Sequence, residues 1–224
     1  MEVSVLEPMF AKAFPFWQKL SDKDKYNLCR STNEIQFEKG TLIHDGNECT
    51  GIIFIRSGSL RLYMLSEEGK EITLYRLFAG DICVLSASCA IQNLTFDVFI
   101  DAEENSDCVI LGGCVYAELS ERIPEVKIFT LETAMSRFSD VMWVMQQILF
   151  MSMDRRLAIF LLDETSKTGN DTITLSHEQI AKYMGSAREV VSRMLKYFST
   201  EGIVEVSRRG VKLLDKRRLR AITR

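Results

Sequence analysis

The spacing of apolar positions changes along the chain, and each change predicts a different element. Between residues 8 and 31, Phe16, Leu20, Tyr26 and Leu28 fall among charged positions at helical spacing, which predicts amino-terminal helices. From Asn33 to about Leu111 the pattern becomes short β-branched or aromatic runs. Ile52-Ile53-Phe54-Ile55, Leu60-Arg61-Leu62-Tyr63 and Ile72-Thr73-Leu74-Tyr75 are punctuated by Gly40, Gly46, Gly51, Gly58, Gly69 and Gly80. Short strands joined by tight turns give this pattern, with Glu67-Glu68-Gly69-Lys70 as a hairpin tip.

From Pro124 the helical period returns and runs to about Met153. Leu131, Ala134, Phe138, Val141, Met145, Ile148 and Ser152 are spaced alternately three and four apart, a heptad stripe that predicts a two-helix coiled coil and a parallel homodimer. Met135, Met142, Leu149 and Phe150 widen the apolar face to what a helix packed on its own core shows, so that alternative stays open. Asp154 is placed to cap a further helix, which puts a hinge near Ser152 to Asp154. The expected organisation is a β-rich domain over 1–123, a dimerisation helix over 124–153 and a separate domain over 154–224.

In that last region, Ser176 and Gln179 have capping-box spacing and start a short helix through Ile180, Ala181 and Met184, which Gly185 stops. Ser186 and Glu189 repeat the spacing and predict a second helix with two stripes. Ala187, Val190, Val191, Met194, Leu195 and Phe198 face a core, while Arg188, Glu189, Ser192, Arg193 and Lys196 share the opposite face. Two helices joined by a glycine turn, the second with hydrogen-bonding side chains near its amino end, fit a B-DNA major groove. Arginine matches O6 and N7 of guanine and a carboxylate accepts from N4 of cytosine, so Arg188, Glu189 and Arg193 are candidate base readers. Ser176, His177, Gln179, Ser192 and Lys196 complete the candidate interface. After Gly202, Ile203-Val204-Glu205-Val206 and Val211-Lys212-Leu213-Leu214 flank Ser207-Arg208-Arg209-Gly210, a hairpin with Arg208 and Arg209 at its tip for phosphates.

Charge divides the chain at the same place. Residues 1–153 hold 13 Lys and Arg against 22 Asp and Glu, while residues 154–224 hold 15 against 9, so a net charge of −3 conceals a basic carboxyl-terminal region suited to a polyanion. No apolar run reaches membrane-spanning length, and Glu2, Glu7 and Lys12 interrupt the amino terminus where a signal peptide needs an unbroken apolar stretch; cytoplasmic residence is expected. In a reducing compartment the six cysteines (Cys29, Cys49, Cys83, Cys89, Cys108, Cys114) are expected as buried thiols rather than bridges. A β-roll metalloenzyme needs a histidine cluster. His44 is the only histidine outside the carboxyl-terminal region, so no metal, no catalytic residue and no enzyme activity are expected.

Over nearly its whole length the chain resembles the cyclic-AMP receptor protein and fumarate-nitrate regulator (CRP/FNR) family. The resemblance rests on Gly40-Thr41-Leu42-Ile43-His44-Asp45-Gly46, Ser57-Gly58-Ser59-Leu60, Glu68-Gly69-Lys70-Glu71 and Ala79-Gly80-Asp81, and then on Ile180-Ala181, Gly185, Arg188-Glu189, Val191-Ser192-Arg193 and Leu195. It implies an α+β fold: an amino-terminal double-stranded β-helix (β-roll, cyclic-nucleotide-binding-like), a long dimerisation helix and a carboxyl-terminal winged helix-turn-helix. It also implies a homodimeric activator on a palindromic operator that engages RNA polymerase. Glu189 with Ser192-Arg193 follows the FNR branch and Arg188 before Glu189 the CRP branch, so the half-site expected is TTGA- or GTGA-like.

Members that bind cyclic nucleotides hold ribose and phosphate with a glycine-glutamate pair and an arginine-serine pair. Here those positions read Val84-Leu85 and Phe96-Asp97, so cyclic AMP and cyclic GMP are not expected to bind. Absence of cysteine before Cys29 argues against the family's iron-sulfur cluster, and the scarcity of histidine against haem. The effector stays open between a small apolar or aromatic molecule near Val84, Leu85, Ser86, Phe96 and Asp97, thiol oxidation at Cys83 or Cys89, and other ligands.

Overall fold

The computed structural model describes residues 3–46, 49–87 and 97–224. It divides into two compact units, one from Met1–Lys70 and Leu74–Val141, the other from Met142–Arg224 with Glu71–Thr73.

The first unit begins with α1 (Val3–Ala13), a 3-10 turn (Trp17–Lys19) and α2 (Asp22–Arg30). Strands β1 (Thr32–Phe37), β2 (Leu42–His44), β3 (Ile52–Ser57), β4 (Ser59–Leu65), β5 (Glu71–Phe78), β6 (Ile82–Cys83), β7 (Phe99–Ala102) and β8 (Ser106–Leu111) follow, then α3 (Gly113–Arg122) and the long α4 (Pro124–Phe150), of which the start of β5 (Glu71–Thr73) and α4 from Met142 on fall in the second unit. The strands form two four-stranded sheets, ordered β1-β8-β3-β6 and β2-β7-β4-β5. This is the expected β-roll.

The unbroken apolar runs have a direct structural cause. A strand turns successive side chains to opposite faces, and the β3 sheet is covered on both. Ile53 and Ile55 join Leu60, Leu62, Ile100, Cys108 and Ile110 in one core, while Ile52 joins Val109, Leu111, Phe10, Phe14, Trp17 and Tyr116 in another, to which the helices contribute. Removing a buried residue such as Ile55 to alanine typically costs about 2–5 kcal/mol. Asp81 of the Ala79-Gly80-Asp81 motif accepts a hydrogen bond from the Phe78 amide at 2.9 Å and pairs with Arg137 of α4 at 3.2 Å, tying the turn to the helix.

The second unit contains α5 (Met153–Thr168), β9 (Thr172–Ile173), α6 (His177–Met184), α7 (Arg188–Thr200), β10 (Val204–Ser207), β11 (Gly210–Leu213) and α8 (Lys216–Ile222). A three-stranded sheet, β10-β11-β9, flanks the helices. Its core gathers Leu157, Leu161, Ile180, Val191, Leu195, Phe198, Val211 and Leu219. Helix α5 begins after Ser152 rather than after Asp154; Ser152 makes no side-chain capping bond but holds the Asp154 carboxyl below its usual range by hydrogen bonding to it.

Candidate nucleic-acid interface

Helix α6 starts on a complete capping box: Ser176 Oγ accepts from the Gln179 amide at 3.1 Å, and Gln179 Oε1 accepts from the Ser176 amide at 2.9 Å. It ends at Gly185 in the left-handed region (φ 57°), where the Ser186 amide donates back to the Ala181 carbonyl at 2.9 Å. The second capping box expected from the sequence does not form. Ala187 is the N-cap of α7 and gives no side-chain bond. Ser186 instead turns its hydroxyl toward Met153 Sδ at 3.8 Å, because the αL exit from Gly185 starts the helix one residue later than the spacing suggests.

Helix α7 has the two faces expected. Val191, Leu195 and Phe198 are fully buried, whereas Val190 and Met194 are half-buried and Ala187 is exposed. Arg188, Glu189, Arg193 and Lys196 are exposed on the opposite face, with Ser192 half-buried among them. The Ser192 hydroxyl lies 2.9 Å from Nδ1 of His177, the first residue of α6.

The hairpin closes between Ser207 and Gly210, leaving Arg208 and Arg209 exposed as its two-residue tip. Gly210 is at φ 124°, and a Cβ there would lie 2.1 Å from the Ile173 carbonyl oxygen of β9, so only glycine lets the wing lie against that strand. Among the described residues, no ion pair engages Arg188, Arg193, Lys196, Arg208 or Arg209. Other cations of this unit are engaged: Arg218 with Glu201 at 3.0 Å, Lys216 with Asp171, Arg156 with the Met184 carbonyl, Arg155 with the Thr223 carbonyl. Uncommitted positive charge is therefore present on α7 and at the wing tip, and among the described residues also at Lys212 of β11, at Arg217 and Arg220 of α8 and at Arg224.

Along α4 the apolar positions separate into two stripes. Ile128, Leu131, Met135, Phe138, Met142, Met145 and Leu149 are exposed, at intervals of alternately three and four residues; Phe138 and Leu131 are each 58% exposed. Of the stripe expected from the sequence, Leu131, Phe138 and Met145 belong to this face. Ala134 and Val141 pack against the two cores of the β-roll unit instead, and Ile148 is half-buried. Met135, Met142 and Leu149 take their places. Two overlapping heptad patterns lie one position apart, and only the packed core distinguishes them.

Of the candidate effector positions, Val84, Leu85 and Ser86 are engaged within the fold. Val84 is in the helix-facing core and Leu85 packs on the roll interior. Ser86 Oγ donates to the Gly51 carbonyl at 2.7 Å, and the Ser86 carbonyl accepts from the amides of Thr50 and Gly51. Asp97 is exposed, and Phe96 lies outside the described residues. Cys29, Cys83 and Cys108 are buried free thiols and Cys114 an exposed one. Burial pushes the Cys83 thiol up and the Cys108 thiol up to about 11, so both stay protonated at neutral pH. Cys49 departs from the expectation of free thiols: it is disulfide-bonded. Cys89 lies outside the described residues. Among the described residues there is no His, Cys, Asp and Glu grouping that would hold a metal ion, and no helix long and apolar enough to cross a membrane.

Comparison with known proteins finds a family-model match in each part of the chain. The family model of the Crp-like helix-turn-helix domain matches residues 155–222, and that of the cyclic nucleotide-binding domain matches residues 34–113. A crystal structure from Eubacterium rectale ATCC 33656, of a protein assigned to the crp/fnr family of transcriptional regulators, is 44% identical over 95% of this chain and 99% of its own, with a TM-score of 0.89. The transcriptional regulator flp of Lacticaseibacillus casei is 25% identical over 203 residues, 90% of this chain and 92% of its own. The cAMP-activated global transcriptional regulator Vfr of Pseudomonas aeruginosa is 24% identical over 179 residues, 75% of this chain and 82% of its own.

Proposed function

Because the chain belongs to the CRP/FNR family of transcriptional regulators, we propose that it binds a palindromic operator as a homodimer and reads bases with Arg188, Glu189, Ser192 and Arg193. The observation that carries this reading is the set of exposed arginines on α7 and the wing that no carboxylate among the described residues engages. An arginine without a partner is available to a guanine edge or a phosphate, and such contacts supply both specificity and affinity. Ser176, His177, Gln179, Lys196, Arg208 and Arg209 flank the readers.

The second copy is expected on the exposed stripe of α4. An apolar stripe of this length on a soluble helix marks an interface, and a 3-4 repeat is the spacing of a two-helix seam. Two recognition helices about 34 Å apart, one turn of B-DNA, then meet two half-sites. Activation through RNA polymerase and residence in the cytoplasm belong to the same proposal.

The controlling signal is not a cyclic nucleotide. Val84 is buried in an apolar core and offers a phosphate nothing. The disulfide at Cys49 favours control by thiol oxidation state.

The test is selection of DNA sites from a random pool by the purified chain, oxidised and reduced, at low salt. A palindrome with half-sites one helical turn apart is expected, with affinity differing between the two redox conditions. Enrichment of no site in either would overturn the DNA-reading proposal, and saturable cyclic AMP binding by calorimetry would overturn the assignment of the signal.

A further inference from the structure

On the reading face of α7, Ser192 stands apart from Arg188, Glu189, Arg193 and Lys196 in two respects: it is half-buried, and its hydroxyl is already engaged. Nδ1 of His177 lies 2.9 Å from Ser192 Oγ. The histidine is itself held: it is half-buried at the first position of α6, directly after the N-cap Ser176 and within the Ser176–Gln179 capping box that fixes the start of that helix.

A serine hydroxyl has one proton and two acceptor lone pairs, and when free it rotates to suit its partner. A free serine at a base edge therefore tolerates donors and acceptors alike. An imidazole nitrogen at hydrogen-bond distance removes that freedom. If Nδ1 is unprotonated it accepts a hydrogen bond from the Ser192 hydroxyl, and only oxygen lone pairs face the groove, matching N6 of adenine or N4 of cytosine. If Nδ1 carries its proton it donates to Ser192, whose own proton is then free for O4 of thymine or O6 and N7 of guanine. With Nδ1 unprotonated the hydroxyl presents acceptor lone pairs alone; with Nδ1 protonated one lone pair is occupied and the proton is directed away from the imidazole, so either tautomer narrows what the hydroxyl offers a base.

We propose that His177 is a positioning residue for base recognition: acting through Nδ1, it restricts the rotamer and the hydrogen-bonding options of Ser192 and so sharpens the choice of one base pair in each half-site. This inference rests on the reading of α7 as the base-reading helix. It gives His177 a role distinct from that of a residue on the DNA backbone, since a phosphate contact would strengthen all sequences equally.

The experiment is site selection by the full chain, followed by competition among single-base variants of the selected half-site. The proteins are wild type, His177→Phe, His177→Asn, His177→Gln, Ser192→Ala and the double variant His177→Phe/Ser192→Ala. Phenylalanine keeps the ring but no hydrogen-bonding atom. Asparagine places a polar atom near the Nδ1 position, and glutamine near the Nε2 position. His177→Phe is expected to flatten discrimination at one base pair by about three- to tenfold, the worth of one hydrogen bond, with the other positions retained. Asparagine should restore the discrimination and glutamine should not. In the Ser192→Ala background, His177→Phe should add nothing, because coupled residues are not additive.

An unchanged profile in His177→Phe, an equal further loss on Ser192→Ala, or rescue by glutamine with uniform weakening of all sequences would each overturn the proposal. Thermal melting reports whether His177→Phe folds; if it does not, the contrast between asparagine and glutamine decides alone. Failure of the wild type to select any site would overturn the base-reading proposal instead, before any variant is compared.

Discussion

The carboxylate-paired arginines inside the β-roll unit and the exposed arginines of α7 and the wing tip are the same residue put to opposite uses. In the roll, Arg61 is nearly fully buried and grips Asp101 with two hydrogen bonds, at 3.1 and 2.6 Å, while its guanidinium lies 4.1 Å from the Tyr63 ring centroid. Arg76 pairs with Glu103, Arg56 with Glu34 and Asp107, Arg137 with Asp81 and Asp140. In the other unit Arg188, Arg193, Arg208 and Arg209 are exposed and, among the described residues, outside any such pair. The acidic surplus before residue 154 supplies the first set with carboxylates inside the chain, and the basic surplus after it leaves the second set for an anion from outside. Net charge alone does not show this; the pairing does.

The same contrast between engaged and unengaged groups extends to apolar side chains, and the largest expected effect tests it there. Phe138 is exposed on α4 whereas Val141, one turn on, packs on the roll. Phe138→Glu should leave the fold of each copy intact but bury unpaired charge in the seam, a penalty of several kcal/mol. Sedimentation should shift from dimer to monomer, and operator binding should fall with it. A dimer that survives Phe138→Glu would mean the exposed stripe is not the seam.

Next in size is Arg61→Ala. Removing one partner of a buried pair leaves Asp101 without its counter-charge, and about 3 kcal/mol of stability should be lost by chemical denaturation. Base preference in the selected DNA should be unchanged. If Arg61→Ala alters the profile without altering stability, engagement inside the chain does not mark structural arginines, and the comparison fails on its first side.

How much of this was legible in the sequence depends on which physical constraint was decisive. The β-roll, the glycine-stopped α6 and the two faces of α7 are read from periodicity, because strands alternate and helices repeat locally whatever surrounds them. The start of α7 was not: S-x-x-E spacing at Ser186 competes with the αL exit from Gly185, and the exit determines where the helix begins. The phase of the α4 stripe was not legible either. Ala134 and Val141 fit a heptad as well as Met135 and Met142 do, and the choice depends on a core assembled from distant residues such as Val109 and Ile110. The hydrogen bond between His177 and Ser192 joins residues fifteen apart across a turn, and no local pattern announces it. The disulfide at Cys49 is likewise invisible to cysteine counting, which expects reduced thiols in a cytoplasmic chain.

The unengaged arginines separate by where they stand. Arg193→Ala on α7 should cost about 1–3 kcal/mol of operator binding and relax the preference at one base pair. Arg208→Ala at the wing tip should weaken every sequence alike and reduce the slope of log affinity against log salt by about 0.9, the contribution of one phosphate. Binding titrations at several salt concentrations, on the selected site and on single-base variants, distinguish the two. Equal behaviour of the two variants would erase the division between base and phosphate contacts.

The smallest effect sharpens the comparison from its other side, with an arginine that is paired yet half-exposed. Arg122 Nη2 lies 2.7 Å from Asp24 Oδ1, and this hydrogen bond, with a second from Ser21, holds the Asp24 carboxyl below the usual carboxylate range. A carboxyl lowered on folding contributes stability that is present above its unfolded value, 3.8, and lost as pH falls through the lower folded value. Because solvent screens the Arg122 guanidinium, Asp24→Asn should cost less than about 1 kcal/mol at pH 7. The difference from wild type should shrink as pH falls below about 4 and shrink again in high salt. A loss at pH 7 as large as that of Arg61→Ala would show that pairing alone, without burial, determines what an arginine is worth to this fold.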